Sequence, residues 1–240
     1  MISDRKIEVL STGELSPDLV AKAVSWGISI DVVPFIKIEP IDDLKVGQVI
    51  DRLASTEATV IFTSRNAVEA VINILDERKP DWTVFSIEGS TSELASVHFG
   101  KDRVIPGGFN GTSLANTLIQ RSAAKEVQFF CGDQRRDELP DLLRSKKIAV
   151  REIIVYRTIP TPLRIDRKYD AVMFFSPSAV NSFFSVNEWK EGTIAFVIGS
   201  TTATAVVGMA DHVIIAERPS KETMIDEVIG HFSHVIPRSK

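Results

Sequence analysis

The chain has 240 residues, 44% hydrophobic and 25% charged, with net charge −4 and one cysteine, Cys131. That apolar content excludes disorder, and a lone cysteine excludes a disulfide scaffold. The net charge offers no long-range attraction to nucleic acid or an anionic membrane, and at first sight argues against any strongly anionic partner.

In chain order, the first ten residues are mixed and charged, without the apolar stretch of an export signal. No later apolar run reaches the ~18 residues of a membrane span, so a cytoplasmic location without membrane contact is expected. Short runs rich in Val, Ile and Phe predict strands at 7–10, 28–33, 59–62, 83–87, 103–105, 127–130, 148–153, 171–175, 194–198 and 212–215. Amphipathic stretches between most of them predict helices at 16–26, 66–75, 92–99, 112–120, 137–145, 178–185, 202–208 and 220–232. The strands read as continuous apolar runs, which suits burial on both faces. The alternation therefore predicts an α/β protein with parallel sheets, and ten strands suit two five-stranded sheets better than one.

An internal repeat bears on where the chain divides. Val60-Ile61-Phe62-Thr63-Ser64-Arg65-Asn66-Ala67-Val68 aligns with Val172-Met173-Phe174-Phe175-Ser176-Pro177-Ser178-Ala179-Val180 at a shift of 112, identical at five of nine positions. One unit later, Phe85 to Thr91 aligns with Phe196 to Thr202 at a shift of 111, and the following helices match as well. Two strand–helix–strand pieces are left over, 1–36 and about 127–159. The second completes the half it follows, so the first must complete the other. The expectation is one discontinuous domain, 1–36 plus 161–240, and one inserted domain, 37–160. The chain would cross between them in the Pro-bearing segments 34–40 and 156–162, with a ligand cleft between the domains.

The two aligned segments place hydroxyl residues where a strand ends and a helix begins. Ser64, Asn66, Ser176 and Ser178 are N-cap residue types, and free N–H groups at such a site favour anions. In a parallel sheet these are carboxyl ends of strands, where ligands usually bind. A second pair, Gly89-Ser90-Thr91-Ser92 and Gly199-Ser200-Thr201-Thr202, sits at similar turns. Thr91 and Thr202 either cap helices or meet ligand carboxylates. Neither turn has the pattern of a dinucleotide or phosphate loop. Arg135 and Arg136 either meet carboxylates or lie in a solvated turn. Cys131 reads as a small buried side chain. The loop from Pro106 to Gly111 could close over a ligand, or be a plain turn. The four histidines form no metal motif, and no hydrolase elbow is present. The residues alone thus reach a two-domain α/β protein that holds a multi-anionic ligand, without naming a reaction.

The run Thr59 to Val68 resembles the FTSxNAV segment of uroporphyrinogen-III synthases. Tyr156-Arg157-Thr158, Phe174 to Val180 and Ile198 to Ala203 resemble further family segments, in the family's order along nearly the whole chain. The resemblance implies two similar domains, each a five-stranded parallel sheet flanked by helices, joined by a two-stranded linker. It implies a reaction in which hydroxymethylbilane loses water and cyclises, with inversion of the last pyrrole ring, to give uroporphyrinogen III. An azafulvene and a spiro intermediate lie on the path associated with the family. The implied partner is a polycarboxylate, a linear tetrapyrrole; no cofactor is expected, the residues themselves offer no metal motif, and no obvious apolar seam argues for more than a monomer. The family's tyrosine falls on Tyr156, where it would assist loss of the hydroxyl; otherwise Tyr156 is a packed linker residue. Thr63, Ser64, Thr91, Ser176, Ser178 and Thr202 carry over as carboxylate contacts, with Asn66, Ser90 and Thr201 beside them. Two departures stand out. Glu88 sits where the family commonly has glycine, and Ser11-Thr12-Gly13 replaces a frequent Thr-Arg. A non-catalytic two-domain sensor of an anionic ligand is the alternative.

Overall fold

The computed structural model describes residues 6–234. The chain divides into two compact units, residues up to Lys37 with those from Ile159 onward, and Ile38–Thr158.

The sheet built mainly from the second unit has the strands β3 (Ile36–Pro40), β4 (Ala58–Phe62), β5 (Trp82–Ser86), β6 (Val104–Pro106), β7 (Glu126–Gly132) and β8 (Ala149–Pro160). The helices are α2 (Leu44–Ala54), α3 (Arg65–Leu75), α4 (Ser90–Phe99), α5 (Gly111–Arg121) and α6 (Glu138–Ser145). The strands form one six-stranded sheet in the order β3-β8-β7-β4-β5-β6. Every pairing from β8 to β6 is parallel. Side-chain alternation along a strand explains why helices cover both faces. Val60 and Phe62 join Val84 and Phe130 in the core under α3, while Ile61 joins Phe85 and Phe129 in the core under α5 and α6.

In the first unit, β1 (Ile7–Ser11), β2 (Ile28–Val32), β9 (Ala171–Phe174), β10 (Ile194–Val197) and β11 (His212–Ile215) form a five-stranded parallel sheet. Its order is β11-β10-β9-β1-β2, the order of β6-β5-β4-β7-β8 in the other sheet. Thus β1 and β2 occupy the positions that β7 and β8 hold there. Helices α1 (Pro17–Ser25), α7 (Pro177–Phe184), α8 (Ser200–Val206) and α9 (Lys221–Phe232) flank this sheet. Met173 and Phe196 pack on the α9 side, and Val172, Phe174 and Val197 on the α7 side.

Three differences from the sequence reading have physical causes. One sheet has six strands rather than five, because the segment taken as an extended crossing, 34–40, contains β3. Strand β8 runs past Ile153 to Pro160, and around Ile153 and Val155, both buried, Ile154 between them is exposed, the local period of a one-sided strand. Helix α2 went unread. Asp43 caps it by accepting the Lys45 N–H at 2.8 Å. Its apolar positions Val46, Val49, Ile50 and Leu53 have helical spacing, and its Leu53 carbonyl accepts the Trp82 indole N–H at 2.9 Å. Among the described residues, no helix is long and apolar enough to cross a membrane.

Candidate functional site

The carboxyl ends of β8, β7, β4, β5 and β6 lie in that order along one edge of the second unit. Each contributes something to that edge.

Strand β4 ends at Phe62, and Thr63 and Ser64 follow, both half-buried. Ser64 is extended (φ −148°, ψ 136°), and its Oγ accepts the Asn66 N–H at 3.1 Å. Ser64 is therefore the N-cap of α3, and Asn66 lies inside the first turn rather than capping it. Tyr156 reaches Ser64 from β8, two strands away. Its phenol donates to Ser64 Oγ at 3.2 Å. Ser64 Oγ thus accepts from both neighbours, and its own proton is the one left to give.

The Tyr156 ring needs Gly132, the last residue of β7. A Cβ at Gly132 would stand 2.4 Å from Tyr156 Cζ, so any other residue would displace the ring. The β7–β8 register shifts at this point, which brings Gly132 opposite Tyr156. Burial pushes the Tyr156 phenol above its ordinary range, and the Ser64 hydrogen bond offsets part of that. At neutral pH the phenol is therefore protonated, and it is a donor rather than a base. Next to Gly132, burial pushes the Cys131 thiol up to about 11. Cys131 is buried and supplies no thiolate at neutral pH.

At the end of β5, Gly89 has φ +84° and leads into α4 without a side-chain cap. Ser90 is exposed, while Thr91 is 4% exposed. Thr91 is the second helical residue, so it does not cap the helix as the sequence allowed. Glu88 turns to the loop after β6. Its Oε1 accepts the Gly108 N–H at 3.0 Å, and its N–H donates to the Gly108 carbonyl at 2.8 Å. Arg135 is engaged by Asp137 and Glu152, and Arg136 lies 3.5 Å from Glu138. Both arginines thus meet carboxylates of the chain itself.

The first unit repeats part of this layout. Ser176 is extended and caps α7, its Oγ accepting the Ala179 N–H at 3.1 Å, with Pro177 as the first helical residue. Ser178 lies in the first turn and is not the cap. Gly199 precedes α8 without a side-chain cap, with Thr201 half-buried and Thr202 2% exposed inside the first turn. Thr202, like Thr91, does not cap. At the β1 end, Thr12 Oγ1 donates to the Met173 carbonyl at 2.7 Å and Ser11 Oγ to the Gly13 carbonyl at 2.7 Å. Those hydroxyl protons are used inside the unit.

The structure therefore brings Tyr156 of β8 across β7 to the β4 end with Thr63, Ser64 and Asn66, and puts Ser90 with Thr91 at the neighbouring β5 end. Ser176 with Ser178 and Thr201 with Thr202 occupy the equivalent ends of the first unit. Sequence reasoning missed Gly132 and the Glu88–Gly108 tie. A glycine ending a strand signals close approach of something, but not of what.

The two parallel α/β units thus carry hydroxyls and helix N-termini at their strand ends, and the second also carries one protonated phenol. The family model described as uroporphyrinogen-III synthase HemD matches residues 17–226. In fold the chain is similar to the uroporphyrinogen-III synthetase of Helicobacter pylori (TM-score 0.64, 17% identity, 94% of this chain and 99% of that one). It is also similar to a substituted uroporphyrinogen III synthase of the extreme thermophile Thermus thermophilus (TM-score 0.65, 14% identity, 94% and 98%). The chain belongs to the uroporphyrinogen-III synthase family, cyclising lyases of tetrapyrrole biosynthesis.

Proposed function

We propose that Tyr156 is the proton donor of this synthase and that the strand-end hydroxyls hold its substrate. In the reaction, hydroxymethylbilane loses its terminal hydroxyl as water and closes to uroporphyrinogen III with the last ring inverted. The electron-rich pyrrole expels the hydroxyl, so the protein need only protonate the leaving oxygen and hold the flexible bilane with its ends together. Tyr156 turns its O–H from Ser64 Oγ to that oxygen, the hydroxyl leaves as water, and the phenolate recovers a proton from the pyrrole carbon at which the ring closes. The observation that carries this role is the buried phenol donating to Ser64 Oγ at 3.2 Å, since that bond aims the ring.

Thr63, Ser64, Asn66, Ser90 and Thr91 in one unit, with Ser176, Ser178, Thr201 and Thr202 in the other, contact the carboxylates of the tetrapyrrole. Support comes from their shared position at carboxyl ends of parallel strands, beside helix N-termini. Reading the chain as a discontinuous domain, 1–36 with 161–240, and an inserted domain, 37–160, belongs to the same proposal. So do a two-stranded linker, a monomeric state and a cytoplasmic location. The test is steady-state kinetics of the wild type and Tyr156→Phe with freshly generated hydroxymethylbilane. Turnover should fall further than product affinity. Unchanged turnover would remove Tyr156 from the mechanism.

A further inference from the structure

The loop from Gly107 to Asn110, between β6 and α5, is fastened on both sides. Gly107 N–H donates to the Ser86 carbonyl at 2.9 Å, and Gly108 exchanges two hydrogen bonds with Glu88. On the helix side, Asn110 caps α5 in a reciprocal capping box with Ser113. A Cβ at Gly107 would stand 2.9 Å from Leu114 Cα, and one at Gly108 2.5 Å from Ser113 Oγ. Gly108 also has φ +84°, a conformation that favours glycine. Between these fastenings Phe109 is 59% exposed and joins no core cluster. A single exposed apolar residue is ordinary. Here, however, the backbone on either side is fixed, and the loop follows β6 at the carboxyl-end edge that carries Ser64, Thr91 and Tyr156. Apart from Phe109, the candidate contacts along this edge are polar, while a tetrapyrrole also offers aromatic faces.

We infer that Phe109 is a substrate-contacting residue that lies against a pyrrole ring of the bilane, and that Glu88 is the positioning residue that holds it there. The inference rests on the synthase reading above. It also accounts for a carboxylate on an anion-binding edge. The Glu88 charge is directed at the Gly108 N–H, and its task is to fix the loop.

Kinetics of the full chain with hydroxymethylbilane separate these roles. Phe109→Ala should raise KM by about three- to tenfold, the scale of one aromatic contact, with kcat little changed. Phe109→Trp should keep KM near the wild-type value. Glu88→Ala should raise KM similarly, and Glu88→Gln should restore it, because an amide oxygen also accepts the Gly108 N–H. The double variant Glu88→Ala with Phe109→Ala should be no worse than Phe109→Ala alone, because one residue acts through the other. An unchanged KM in Phe109→Ala, or independent addition in the double variant, overturns the inference. If the wild type forms no type III product, the synthase reading has failed. If the wild type is active and Phe109→Ala is normal, only the present inference has failed.

Discussion

In the proposed mechanism Tyr156 keeps its proton until a leaving oxygen is there to take it. Burial secures this by disfavouring the phenolate, and the hydrogen bond to Ser64 holds the ring in place. Phe at 156 removes the proton and keeps the ring, so kcat should fall by about a hundredfold, the lower end of general-acid contributions. Gly132→Ala should do comparable harm by another route. Its Cβ would collide with the ring, so the variant should lose activity and about 1–3 kcal/mol in a urea titration. The chain has two tyrosines, and burial raises the other, Tyr169, which also donates to Asp31. In the unfolded chain both should titrate near 10.0. The native state holds these protons longer, so their stabilising effect is complete below that pH and is lost as pH rises through the native values. Alkaline titration followed by tyrosinate absorbance should therefore give a native midpoint above that of the urea-unfolded chain. Coincident midpoints would contradict the burial account.

At the scale of the element, the strand-end hydroxyls divide into those that cap a helix and those that do not. Ser64 and Ser176 cap α3 and α7, so alanine at either should cost about 1 kcal/mol of stability. Only Ser64→Ala should also reduce kcat, since it alone unties Tyr156. Thermal melts with activity assays check both halves. The alignment at a shift of 112 made these caps legible, because Ser64 and Ser176 fall on the same position. It did not show that Thr91 and Thr202 lie one to two residues inside their helices, since a glycine start carries no side-chain signal. Nor did it show Tyr156 meeting Ser64. The two are 92 residues apart and meet only because β8, β7 and β4 are consecutive in the sheet. Helix α2 was legible in its period but was obscured by the polar run before it. Ile50 is fully buried there, and Ile50→Ala should cost about 2–5 kcal/mol by urea titration.

At the scale of the molecule, continuous apolar strands and the alternation of helices were enough for an α/β fold with parallel sheets. The repeat went further, since strands aligned by it occupy equivalent places in two sheets of matching order. What it missed was the sixth strand, because Pro34 and Pro40 made an edge segment read as a bare crossing. The net charge of −4 misled in one respect. It describes the surface average, whereas in the proposed site a polycarboxylate is held by local N–H groups and hydroxyls, and Arg135 is already neutralised by Asp137 and Glu152. As a synthase of this family, the chain folds a linear bilane so that its last ring inverts on closure. The direct measurement is to supply enzymatically generated hydroxymethylbilane, oxidise the products and separate the porphyrin isomers. The type III isomer should predominate and increase with protein concentration. Type I alone, at the rate found without protein, would contradict the account.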